Sequence, residues 1–168
     1  MLRPLSSFFW PVFRRKSTNA RLREAASAKP GDAFRRAAII AMVANGEDRQ
    51  VLMDISTQQD FQVHFAESPE KALHGIERLR APAALVDRNW PGSDWRTLVE
   101  ELSSSPGRPC VILMSGVLDE RLWAEVVGCG GYEVLAKPLQ AEQAIRVIKL
   151  ALSYQQAALR TLPRIRAR

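Results

Sequence analysis

Five short apolar runs punctuate residues 37–136, and each is followed by a stretch whose apolar residues recur at helical spacing. Ala37–Val43 is continuous, the mark of a central strand covered on both faces. Phe61–Phe65 alternates and reads as a strand nearer an edge. The third, fourth and fifth runs are Ala83–Asp87, about 110–114, and Tyr132–Ala136. After the Asn45-Gly46 turn, Glu47 and Asp48 open a helix, where acids complement the amino-terminal dipole, and Val51, Leu52 and Ile55 give it one apolar face. Ser68 caps a second helix with Pro69 at its first position and a stripe of Ala72, Leu73, Ile76 and Leu79. Ser93 or Asp94 caps a third, carrying Leu98, Val99 and Leu102. Leu118–Val127 and Gln140 to about Ala158 supply the fourth and fifth. Strict alternation of strands and helices predicts an α/β domain: a five-stranded parallel, doubly wound sheet with right-handed crossovers and helices on both faces.

Charge divides the chain differently from its average. The 168 residues carry a formal net charge of +6, but residues 1–36 hold nine Lys/Arg against two acids and residues 157–168 hold four Arg and no acid. What remains, 37–156, carries eleven basic and sixteen acidic residues, a net −5. An acidic domain over 37–156 is thus flanked by a basic extension over 1–36 and a basic tail over 157–168. The high overall isoelectric point belongs to those ends and does not make the domain a nucleic-acid binder.

Within the extension, Phe8-Phe-Trp-Pro-Val-Phe13 is apolar but six residues long, and Arg14-Arg15-Lys16 follows. A membrane span needs about 20 apolar residues, and a secretory signal needs a longer apolar centre with a small-residue cleavage site. The segment reads either as a disordered extension or as a peripheral anchor, and the basic ends can contact polyanions or an anionic membrane surface. Cys110 and Cys129 lie in or beside apolar segments, with no His or acid at ligand spacing. They are expected to be reduced thiols in a cytoplasmic protein. His64 and His74 stand alone, and His74, beside Lys71 and Glu70, is expected to be exposed.

The chemistry gathers at strand ends. Ala83–Asp87 finishes on a carboxylate, with a Pro91-Gly92 turn close behind; the fourth run leads into Ser115-Gly116; the fifth leads into Lys137-Pro138. Open α/β sheets bind ligands at the carboxyl ends of their strands, so an acid, a hydroxyl and an ammonium are expected at one rim.

With these residues in place the chain resembles, over roughly 37–156, the CheY-like receiver domain of bacterial response regulators, a flavodoxin-like fold. The resemblance implies that Asp87 is the phosphoacceptor, that Ser115 is the switch hydroxyl bonding the phosphoryl group, and that Lys137 pairs with it. It implies a histidine kinase or phosphotransfer protein as partner, and Mg²⁺ as cofactor. The departures are local. Where receivers carry two acids after the first strand, this chain has Ala44-Asn45, leaving Asp87 and the Asn45 amide as metal ligands with Glu47 or Asp48 reaching back. The aromatic switch position, three before the lysine, is Val134, and Trp95 stands where a small residue is usual.

Two functions follow. One is a stand-alone receiver in a two-component phosphorelay, accepting a phosphoryl group on Asp87 and switching a contact with a downstream protein. The other is a degenerate receiver that keeps Asp87 and Lys137 as a buried ion pair and acts as a phosphorylation-independent interaction module. No DNA-binding module is expected after Ala158. An enzyme is not expected either, because no Gly-rich phosphate loop follows the first strand and no nucleophile–base pair is visible.

Overall fold

Ala37–Met42 (β1) alternates its side chains between two packed layers, and the whole architecture follows from that strand's central position. The structure, a computed structural model, describes residues 36–161. In chain order β1 is followed by α1 (Gly46–Gln58), β2 (Phe61–Phe65), α2 (Pro69–Leu79), β3 (Ala83–Asp87), α3 (Trp95–Ser104), β4 (Cys110–Ser115), α4 (Glu120–Gly128), β5 (Glu133–Ala136) and α5 (Ala141–Thr161). The strands form one parallel sheet in the order β2-β1-β3-β4-β5. The expected doubly wound α/β sheet is the one observed, and the direction of strand addition reverses between β1 and β3.

One face of the sheet carries Ile39, Ala41, Leu85, Ile112, Met114 and Leu135, covered by Leu52 and Ile55 of α1 and by Ala144, Ile148 and Ala151 of α5. The opposite face carries Ile40, Met42, Val86, Val111 and Leu113 against α2, α3 and α4. Each fully buried Leu, Ile or Met here contributes roughly 1.5–3 kcal/mol relative to exposure. β3 and β4 are buried at every residue, because both neighbours and both helical layers cover them. That is why their sequences run apolar without alternation.

Caps fix the helix starts. Asn45, Ser68, Asp94 and Asp119 accept backbone N–H bonds at the starts of α1 to α4. Of the two residues expected to cap α3, Asp94 does so. The fourth helix begins at Glu120, two residues later than its apolar pattern suggests, because Asp119 takes the Leu122 N–H at 2.7 Å. α5 runs to Thr161, so the stretch read as a basic tail from 157 begins as helix. The basic extension before residue 36 and the end beyond residue 161 lie outside the described residues. Among the described residues no helix is long and apolar enough to cross a membrane.

Candidate functional site

β1, β3 and β5 deliver Asn45, Asp87 and Lys137 to the same end of the sheet, at the point where the strand order reverses. Asp87 ends β3 and has no solvent exposure. Its Oδ2 accepts from the Lys137 ammonium at 2.7 Å and from the Ala44 N–H at 3.1 Å, while Oδ1 accepts from the Asn89 N–H at 3.0 Å. A buried carboxylate is tolerated only when charge and hydrogen bonds replace its water. Here one ammonium and two amides do so.

A second carboxylate shares the ammonium. Asp48, 3% exposed, places Oδ2 at 3.0 Å from Lys137 Nζ, and its Oδ1 accepts the Leu139 N–H at 3.1 Å. Asn45 holds Asp48 from the other side: its Oδ1 accepts the Asp48 N–H at 2.8 Å and its amide donates to Asp48 Oδ2 at 2.5 Å. Burial pushes the Asp48 carboxyl upward, but the Leu139 N–H, the Asn45 amide and Lys137 outweigh it and hold it below the usual carboxylate range. Burial likewise pulls Lys137 down, and the two carboxylates more than reverse that.

The structure turns Asp48, not Glu47, into the site. Glu47 is exposed, whereas Asp48 shares the buried face of α1 with Leu52 and Ile55. The signal was in the sequence: 48, 52 and 55 are spaced i, i+4, i+7, so a helix that buries Leu52 and Ile55 buries residue 48 as well. Of the two acids expected to reach back, that spacing selects Asp48.

Ser115 closes β4 at 1% exposure, and its hydroxyl is used locally. It donates to the Val117 carbonyl at 2.7 Å and accepts the Val117 N–H at 3.1 Å, with an Arg88 guanidinium nitrogen at 3.5 Å. Its backbone carbonyl accepts the Lys137 N–H at 2.9 Å, tying the β4 and β5 ends together. The structure therefore brings Asp87 and Lys137 into direct contact and leaves the Ser115 side chain bonded in its own turn. Val134 is buried, and Trp95 is buried at the start of α3 with the Arg96 guanidinium over its ring at 4.5 Å. Trp95 is thus a packing residue. Cys110 is buried, which pushes its thiol up to about 12, and burial also raises Cys129. Neither thiol is activated.

The fit to Mg²⁺ is poor. A magnesium ion takes near-octahedral oxygen coordination and usually one or two carboxylates with water or phosphate. Here one oxygen of each carboxylate is held by the Lys137 ammonium, and Asn45 commits its oxygen to the Asp48 N–H while presenting its NH₂, a donor, to the site. Among the described residues no group of three or more His, Cys, Asp or Glu is placed to hold a metal ion. The positive charge balancing these two acids is an ammonium.

No family model matches the chain. It is 26% identical over 116 residues to the regulatory protein AtoC of Escherichia coli K12, covering 68% of this chain and 25% of AtoC. The chain thus spans about a quarter of the length of the curated protein it matches. The signal receiver domain of an HD domain-containing protein from Pseudomonas fluorescens Pf-5 superposes with a TM-score of 0.69 at 21% identity, over 80% of this chain and all of that one. The chemotaxis response regulator CheY4 of Vibrio cholerae superposes at 0.62 and 16% identity, over 68% of this chain and 98% of that one. The fold of residues 36–161 is that of CheY-like response-regulator receiver domains.

Proposed function

We propose that this receiver-like domain serves two-component signalling as an interaction module whose site is held closed by its own ion pairs, independently of phosphorylation. The observation that carries this is the Asp87–Lys137–Asp48 bridge, one ammonium between two buried carboxylates, beside Ala44 and Asn45, which stand where a receiver has its two metal-binding acids. Transfer of a phosphoryl group to a carboxylate needs its charge neutralised. The donor set at Ala44 and Asn45 offers no ligand for the cation that would do it. Output is then a constitutive protein contact, with a histidine kinase or phosphotransfer protein as the partner class.

A second reading keeps Asp87 as phosphoacceptor in a phosphorelay. It is favoured by the ordered placement of Asp87, Ser115 and Lys137 at three adjacent strand ends and by the 2.7 Å Lys137–Asp87 contact. An ammonium so placed stabilises the added charge of an acyl phosphate.

Acetyl phosphate with Mg²⁺, followed by intact mass of the wild type and Asp87→Asn, separates the two. No gain of a phosphoryl group, under conditions that phosphorylate an ordinary receiver run alongside, is the expected result. A single phosphoryl gain that disappears in Asp87→Asn would establish the phosphorelay reading instead.

A further inference from the structure

The two histidines of the chain, ten residues apart in sequence and on different elements, face one cleft. His64 lies on β2 in register with Ile40 of β1, on the face covered by α2. Lys71, His74, Gly75 and Arg78 follow the i, i+3, i+4, i+7 spacing that makes one stripe of a helix. That stripe overhangs β2, at the edge of the sheet, and lines an open cleft of about 470 Å³ with Ile40, Ala66 and Leu79 on its apolar side. Gly75 sets the depth: a Cβ there would meet Ile40 Cδ1 at 3.0 Å, so α2 sits close over β1. The α2 core stripe, Ala72 and Ile76, accounts for the packing of the helix and leaves the basic stripe unexplained by the fold.

We infer that this cleft binds a small organic molecule carrying a phosphate group, with the phosphate on His64, His74 and Arg78 and the organic body against Ile40 and Leu79. The volume falls within the range of small-molecule sites, and a guanidinium and two imidazoles lining one cleft suit a phosphate's several acceptor oxygens. Arg78 makes no ion pair among the described residues, whereas Lys71 is held by Glu67 at 2.6 Å. Glu70 on the rim is the one opposing charge lining the cleft. A peptide added as a strand along β2 fits less well, because the Val63 N–H on the open edge is already taken by the Ser56 hydroxyl at 3.0 Å. The site lies apart from Asp87 and does not depend on how that residue works.

The test is titration of the full chain with adenosine monophosphate at pH 6.5, followed by amide NMR, with adenosine and the exposed-residue variant Arg78→Gln alongside. The expected result is shifts centred on His64, His74, Gly75 and Arg78. Adenosine and Arg78→Gln should each weaken binding about tenfold or more, in keeping with loss of a charge-assisted contact. No shifts at millimolar ligand, equal binding of adenosine, or shifts unchanged in Arg78→Gln would each overturn the assignment.

Discussion

Asp48, in the first turn of α1, lies 3.0 Å from the ammonium of Lys137, eighty-nine positions further along the chain. Its other oxygen takes the Leu139 N–H. The single side chain thus holds both the charge and the backbone of the segment leaving β5. Asp48→Ala strands a buried N–H and removes half of the ammonium's neutralisation, which should cost about 2–3 kcal/mol in urea unfolding. Asp48→Asn keeps an acceptor for Leu139 and should cost less. Equal losses in the two variants would mean that charge, not the backbone bond, is what matters.

Lys137→Met leaves two buried carboxylates with no cation between them and should cost about 3–5 kcal/mol near neutral pH. The pH dependence has a definite sign. The folded carboxyl of Asp48 lies below its ordinary 3.8, so its contribution is present above that value and is lost as pH falls through the folded pKa. Lys137 is raised above 10.5, so its contribution is complete below that value and is lost as pH rises through the folded pKa. Wild-type stability from this bridge should therefore hold on a plateau between roughly pH 4 and pH 10. In Lys137→Met, acid relieves the repulsion instead, so the gap between variant and wild type should narrow as pH falls towards 4. Chemical unfolding of both proteins at a series of pH values checks this.

Metal response follows from the donor set. Ten millimolar Mg²⁺, roughly the excess at which a millimolar site stabilises a fold by a kcal/mol or more, should leave the wild-type Tm unchanged. Ala44→Asp with Asn45→Asp adds two carboxylates at the rim and should create a Mg²⁺-dependent rise in Tm. A rise already present in the wild type would show that Asp87 and Asp48 release the ammonium to accept a metal.

Gly131 precedes β5 where no side chain fits. A Cβ there would collide with Val126 Cγ1 and would lie 2.9 Å from the Val126 carbonyl and 3.1 Å from Val99 Cγ1. Gly131→Ala should cost about 1–3 kcal/mol by overpacking, read as a lowered midpoint in thermal unfolding. Gly46→Ala, with nothing within 4 Å, is the matched control and should be close to neutral.

The order of elements was legible in the sequence because it depends on periodicity, a local property. Runs buried on both faces, such as Ala83–Asp87, differ visibly from the i, i+3, i+4 stripes of the helices, and a cap such as Ser68 marks where a helix begins. The positions of Asp87 and Lys137 at strand ends followed from the same pattern, since parallel strands must end together at one rim. Which of two adjacent acids turns inward is set by the rotational phase of α1, and the spacing of 48, 52 and 55 carries that phase once Leu52 and Ile55 pack against the sheet. The sequence did not join His64 to His74: their shared cleft exists because β2 lies at the sheet edge while α2 packs over β1. The chain's local pattern determined what each segment becomes. Only the tertiary structure decided which charges meet, because a contact between residues 48 and 137 depends on the register of strands and the rotation of helices, which no single segment encodes.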